Sequence, residues 1–344
     1  MAKTAAKTAP RTAVVTGGSA GIGLATAERL AKAGWQIAII ARDQERLDAA
    51  RAMLAAHGTA ILAISADVAD AEAVDAAADR IERELGPIGA WVNNAMSTVV
   101  APADRITPAE YQRVTGTTYL SQVYGTLAAL RHMKPRGHGA IVQVSSGLGI
   151  RAVPLQAAYC AAKFAVSGFT DALRAELIGD KVPVTLSVVY LPAVNTPQPG
   201  WARNHTGREQ VLPDPLFDPR LCAEAIVSAI DDPQREIWVG RSTLQMAVAQ
   251  ALVPNFADRQ ASGFAEQQLG DATGSKTGNL DAPVPGPARI DGDATDRAIS
   301  NRHEFFTSRQ RDMLKIGIGG GIAGLGALAG FGLSHLRSRS NRNG

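Results

Sequence analysis

The segment that decides the architecture is Thr12–Thr16 (TAVVT), running without a break into TGGSAGIG (16–23) and then LATAERLAKAG (24–34). A short β-branched run reads as a buried strand, and the Ala-rich stretch after it has the composition of a helix. Between them lies a turn with four glycines in seven positions. Gly17 permits a tight reversal off the strand, Gly21 lets the backbone come close to a bound group, and Gly23 allows the helix to pack tightly. The start of such a helix presents free N–H groups and the positive end of its dipole, a natural seat for a phosphate.

Outward from this turn the same alternation repeats. Strand candidates follow at QIAIIA (36–41), AILAIS (60–65), AWVNN (90–94), AIVQVS (140–145), VTLSVVY (184–190) and EIWVG (236–240). Helical stretches separate them at 43–56, 71–85, 109–133, 156–178 and 220–230. Strands that read as continuous apolar runs are covered on both faces, which predicts an α/β fold: a doubly wound, seven-stranded parallel sheet over residues 11–240 with a C-terminal extension. Residues 1–10 read as a disordered leader and 241–269 as a helical extension. Residues 270–310, rich in Gly, Pro, Asp and Thr, read as a flexible linker because they offer few bulky side chains to bury.

The turn spacing T-G-x-x-x-G-x-G resembles the short-chain dehydrogenase/reductase family, and later segments carry the same likeness. The resemblance implies a Rossmann fold holding a nicotinamide dinucleotide through Gly17, Ser19, Gly21, Ile22 and Gly23. Strand two ends Ala41-Arg42: an acid there would bond a ribose 2′-hydroxyl, whereas an arginine attracts a 2′-phosphate, so NADP(H) is the expected cofactor. Asp43 suits the cap of the next helix. Asp67-Val68 is similar to the family's Asp-Val pair beside the adenine, although Asp67 would equally cap a helix. Asn93-Asn94-Ala95 matches the family's N-N-A-G, with Met96 in place of the glycine, and Asn94 is expected near the cofactor. Leu191–Thr196 resembles the P-G-x-x-T turn with Ala193 replacing glycine, and Thr196 is expected to bond the carboxamide.

The catalytic candidates are Ser146, thirteen positions before Tyr159, and Lys163. Tyr159 and Lys163 lie one turn apart on a single helix and share a face. An unperturbed phenol near pKa 10 exchanges protons poorly at neutral pH, and a neighbouring ammonium favours its ionised form. By resemblance, Tyr159 acts as general acid/base, Ser146 holds the substrate oxygen and Lys163 also bonds the nicotinamide ribose. Thr118 stands where the family often has an asparagine that holds a relay water. The segment Pro197–Pro219, with Trp201 and Phe217, occupies the place of the substrate loop.

The expected activity is hydride transfer between NADP(H) and a small-molecule carbonyl or alcohol. The alternatives are a dinucleotide-binding sensor or scaffold without turnover, and a membrane-associated reductase of lipid or steroid carbonyls. A net charge of +3 from 35 basic and 32 acidic residues spread along the chain excludes a phosphate-neutralising face, so no nucleic-acid partner is expected. Two cysteines, Cys160 and Cys222, suit neither a disulfide framework nor a thiolate metal site, and the six histidines lack metal-ligand spacing. Within the tail 311–344, the uncharged run 316–333 is eighteen residues long, the lower limit for a membrane span, and carries two G-x-x-x-G spacings. It reads as a membrane contact on an otherwise cytoplasmic protein. The long fourth and fifth helices are, by resemblance, the packing faces of a homo-oligomer.

Overall fold

The computed structural model describes residues 11–301 and 304–310; the leader and the apolar run 316–333 lie outside them. The first half runs β1 (Thr12–Thr16), α1 (Gly21–Lys32), β2 (Gln36–Ala41), α2 (Gln44–Ala55), β3 (Ile61–Ser65), α3 (Ala71–Glu84) and β4 (Ile88–Asn93). After a short β5 (Val99–Val100), α4 (Pro108–Thr115) passes through a π-helical turn at Gly116–Leu120 into α5 (Ser121–Arg136). Then come β6 (Gly139–Ser146), α6 (Ala157–Gly179) and β7 (Val184–Leu191). The remainder comprises α7 (Gln198–Trp201), β8 (Arg203–Asn204), β9 (Arg208–Gln210), α8 (Pro219–Asp231), β10 (Glu236–Val239), α9 (Arg241–Leu252), α10 (Pro254–Ser262), α11 (Phe264–Gln267), β11 (Leu269–Ala272) and β12 (Phe305–Thr307).

Local chemistry explains the element boundaries. Asp43 accepts the Arg46 N–H at 3.0 Å and starts α2, and Asp70, rather than Asp67, caps α3 through the N–H groups of Glu72 and Ala73. Thr107 and Glu110 form a reciprocal capping box at α4, with Pro108 at its first position.

The central sheet has the order β12-β10-β7-β6-β4-β1-β2-β3. Its seven expected strands are parallel, and the chain order reverses between β1 and β4, the place where open α/β sheets bind ligands. An eighth strand was not expected: β12 pairs antiparallel with β10, Val239 opposite Phe305 and Ile237 opposite Thr307. Successive residues of each strand feed opposite layers. Val15, Ile37 and Ile39 pack with Leu24, Leu30, Leu47, Leu54 and Ile226 of α1, α2 and α8, whereas Val14, Ala38, Ile40 and Trp91 pack with Val74, Ile81, Met133 and Leu177 of α3, α5 and α6. Each fully buried Leu or Ile contributes about 1.5–3 kcal/mol, so this two-sided burial holds the strand ends in place.

The reading of 270–310 as a flexible linker needs correction. Besides contributing β12, it packs across the carboxyl ends of the strands with Leu280 fully buried and Ile290 nearly so. Composition misled because this segment docks mainly through backbone carbonyls and ion pairs, which any sequence of low apolar content supplies. Among the described residues, no helix is long and apolar enough to cross a membrane.

Candidate active site

The glycine turn takes the form its sequence implies. Gly17 has φ +66°, and a Cβ there would lie 3.0 Å from both Ala95 Cα and Asn94 Nδ2. A Cβ on Gly23 would fall 2.2 Å from the Gly17 carbonyl oxygen, so this glycine is required by the turn's own backbone rather than by the sheet. α1 begins without a side-chain cap and without an acidic residue in its first turn, so its positive end suits an anion, although the Gly21 N–H is engaged by Arg289 O at 2.9 Å. Asn94 Nδ2 donates to Thr16 O at 3.0 Å, and Thr16 Oγ1 accepts from the N–H groups of Asn94 and Ala95. Asn93 donates to Gln122 O, Thr126 Oγ1 and Gln143 Oε1 and accepts from Trp91 Nε1. The loop thus keeps its supports despite Met96.

β6 ends at Ser146, whose Oγ accepts the Leu148 N–H at 3.1 Å and also bonds the Tyr159 hydroxyl. Lys163, one turn further along α6, is only 2 % exposed; its Nζ donates to Val144 O at 2.7 Å and lies 5.7 Å from the Tyr159 ring centre. Three residues from two neighbouring elements therefore meet at one point. Their electrostatics differ from expectation. Burial pushes the Tyr159 phenol up from its usual value, with the Ser146 hydrogen bond opposing it. Burial likewise pushes the Lys163 ammonium down, to about 7. Desolvation penalises both charged forms, and here it outweighs the attraction that would ionise the phenol.

Thr118, fully buried in the π-helical turn, gives its hydroxyl hydrogen to Ser97 O at 2.7 Å and accepts the Ser97 N–H at 3.0 Å. Its side chain staples the loop after β4 to the helix. The expected position for a relay water is thus taken by a backbone contact.

At the other end, Arg42 leaves β2 and donates to the carbonyls of Asn279, Leu280 and Asp281. Asp67 accepts from Ala69 N–H at 3.0 Å and from Arg113 Nη2 at 2.6 Å. Burial alone would raise its carboxyl, but the bonds from Arg113 and Ala69 hold it below the usual range. Arg46 places its guanidinium 4.4 Å from the Trp201 ring centre.

Gly17, Ser19, Gly21, Ile22, Arg42, Val68, Asn94, Ser146, Tyr159, Lys163 and Thr196 line one cavity of about 410 Å³. Gly23, Asp67 and Thr118 stand behind it. Around Tyr159 the cavity walls include the apolar side chains of Met96, Val153, Leu212, Met246 and Phe264. In the substrate-loop segment, Trp201 faces the cavity, whereas Phe217 is 1 % exposed and belongs to the core. Sequence reasoning missed Arg46, Arg113, Gln156 and the 276–292 crossing. Arg46 carries a signal in hindsight, four residues after Arg42 at the start of a helix. Gln156, bonded to Gln268 Oε1 at 2.7 Å, carries none.

A doubly wound sheet with a glycine turn at its switch point and a buried Tyr-Lys pair beside it defines a dinucleotide-dependent oxidoreductase class. The sequence profile described as short chain dehydrogenase matches residues 11–205, and the chain belongs to that family of oxidoreductases. The oxidoreductase YxnA of Bacillus subtilis (strain 168) is 32% identical over 248 residues, 72% of this chain and 70% of YxnA. A 3-dehydrosphinganine reductase of Arabidopsis thaliana is 35% identical over 187 residues, 53% of this chain and 55% of that protein. An alcohol dehydrogenase from the archaeon Thermococcus sibiricus, solved with 5-hydroxy-NADP, superposes with a TM-score of 0.58 at 24% identity over 67% of this chain and 95% of its own; at that identity the likeness is one of fold.

Proposed function

We propose that this protein is an NADP(H)-dependent reductase or dehydrogenase of an apolar carbonyl or alcohol, with Tyr159 as the proton donor and acceptor. The observation that carries the proposal is that Ser146, Tyr159 and Lys163 line the same cavity as the glycine turn. The turn suits a dinucleotide pyrophosphate, since the groups a phosphate would meet at the start of α1 are N–H donors and no carboxylate. Bound nicotinamide would supply or accept the hydride at the substrate carbon. Tyr159 gives its hydroxyl proton to the carbonyl oxygen in reduction and takes it back in oxidation, while Ser146 holds that oxygen by a hydrogen bond. Burial keeps the phenol protonated, so the proton that reduction needs is present at Tyr159. Lys163, buried and near neutrality in its proton affinity, is placed to hold a ribose hydroxyl and to become charged as the site requires.

The preference for NADP rests on Arg42, preceded by Ala41 where an acid would select NAD. The apolar walls around Met96, Leu212, Met246 and Phe264 favour a substrate with a hydrocarbon body, and the Arabidopsis relative is named for a sphingoid ketone. A second reading, a dinucleotide sensor without turnover, is favoured by the commitment of the Thr118 hydroxyl to Ser97. Self-association through α5 and α6 belongs to the proposal, as Leu127 and Phe164 are large exposed apolar side chains on those helices.

The test is NADPH and NADH oxidation with a carbonyl panel graded by chain length, run beside Tyr159→Phe. The expected result is turnover with NADPH, rising with apolar chain length, and a loss of at least about a hundredfold in the variant. NADPH binding without turnover on any member would replace the enzyme reading by the sensor.

A further inference from the structure

The donors that the dinucleotide reading assigns to phosphate are already engaged by the chain's own backbone. Arg42 donates to three consecutive carbonyls, of Asn279, Leu280 and Asp281, the last two at 3.1 Å. Arg113 Nε donates to Leu280 O at 3.0 Å. Arg46 donates to the carbonyls of Val284 and Gly286. The Gly21 N–H, the first of α1, donates to Arg289 O at 2.9 Å. The segment follows the expected path of a dinucleotide, from the 2′-phosphate position at Arg42 to the pyrophosphate position at Gly21. It then reaches the turn at Thr196, where Gly292 N–H donates to Asn195 O at 3.1 Å.

We propose that residues 276–292 form a strap that competes with the dinucleotide for Arg42 and Gly21, so that cofactor binding and strap release are one coupled event. The inference rests on the dinucleotide reading. Its physical basis is that one donor set faces two kinds of acceptor. Three carbonyl oxygens around one guanidinium repel a phosphate brought to the same place, so the two cannot be held together. A phosphate is the stronger acceptor for each of these donors, because a charged acceptor roughly doubles a hydrogen bond. The exchange therefore favours the cofactor once it is present, and the strap satisfies the donors in its absence.

The strap is built to let go. It is tethered at both ends by strands, β11 and β12, so it swings out without unfolding the sheet. Its middle, Ala282-Pro283-Val284-Pro285-Gly286-Pro287, contributes no helix or strand and only one β-branched side chain. Outside the cofactor donors it is fastened by two ion pairs, Arg203 to Asp281 and a two-pronged Arg220 to Asp291 at 2.6 and 2.8 Å, and near its start by backbone bonds of Lys276 with Asn204 and of Asn279 with Trp201 and by Arg203 on Thr277 O. Two apolar anchors hold it: Leu280, buried beside Val99, Ile106 and Val114, and Ile290, buried in the main core.

The test uses the full chain and hydrogen exchange read by mass spectrometry, with NADP⁺ as the probe. NADP⁺ is expected to protect residues 17–24 while speeding exchange across 277–291 at least fivefold. Asp281→Ala/Asp291→Ala, which cuts both fastening ion pairs and removes no side-chain hydrogen bond to a cofactor donor, is expected to bind NADP⁺ at least fivefold more tightly by calorimetry. Protection of 277–291 together with 17–24 would make the segment a clamp over bound cofactor and overturn the proposal, as would unchanged or weaker affinity in the variant. Absence of protection at 17–24 would overturn the dinucleotide reading itself, a result distinct from failure of the strap alone. Should the double variant not fold, the wild-type exchange pattern alone decides.

Discussion

At the Tyr159 end of the cavity the polar groups come from eighteen consecutive residues, 146 to 163, on one strand end and the helix after it. At the Arg42 end they come from β2, β3, α4 and a segment more than two hundred residues away, and most of the acceptors are backbone carbonyls. The first arrangement is preorganised and desolvated, its cost showing in a lysine pushed down to about 7. The second is a set of exposed or half-buried hydrogen bonds that can exchange partners. One end is built to be fixed and the other to be displaced, a division that suits an enzyme whose chemistry must be invariant while its cofactor comes and goes.

The largest effect that tests this contrast is at the fixed end. Lys163→Met is expected to lower turnover by about a hundredfold or more while raising thermal stability. Native Lys163 titrates near 7 against an ordinary 10.5. Between those values the unfolded chain binds the extra proton, so the wild type gains stability as pH rises from 7 to 10.5 and is penalised below. The variant escapes that penalty, and Val144 O keeps its bond from Gln122 Nε2 at 3.1 Å. A rise in Tm of several degrees at pH 7, shrinking toward pH 10, is expected by calorimetry; a fall would mean that the lysine is a net support of the fold.

The displaceable end predicts a smaller change of a different kind. Arg42→Ala removes one charged partner of a 2′-phosphate, about 1.5–3 kcal/mol. The NADP over NAD preference in kcat/KM should fall by roughly ten- to a hundredfold. NAD affinity should hold or improve, because the same change frees the strap. An equal loss for both dinucleotides would break the contrast.

The smallest effect concerns the fastening of the displaceable end. Glu110 accepts from Thr107, from Arg203 at 3.2 Å and from His205 at 2.8 Å, and Arg203 in turn holds the strap at Thr277 O and Asp281. Burial would raise the Glu110 carboxyl, yet the bonds from Thr107 and His205 hold it at about 2. A depressed carboxyl stabilises the native state above its ordinary value of 4.5, and that contribution is lost as pH falls toward 2. Glu110→Gln should cost about 1–2 kcal/mol at pH 7 and flatten the acid limb of the stability curve; an unchanged acid limb would place the proton uptake elsewhere.

The parts of the fold that were legible in the sequence are those set by neighbours in the chain. The strand-turn-helix of 12–34, the Asp43 cap and the pairing of Tyr159 with Lys163 each depend on residues within a few positions. The long helix expected over 109–133 was read correctly in extent, but not its π-helical turn, because that irregularity is driven by the contact of Thr118 with Ser97 across the loop. Phe217, read as part of a substrate loop, went to the core because a bulky aromatic buries wherever the tertiary packing offers room.

The sequence by itself determined where a glycine turn, a Tyr159–Lys163 pair and their supporting sheet would form, since glycine at a forced turn and i,i+4 placement on a helix are local facts. Only the tertiary structure decided the fate of residues 270–310. Every residue carries a backbone carbonyl whatever its side chain, so a segment that docks by carbonyls onto arginines leaves no trace in composition or periodicity.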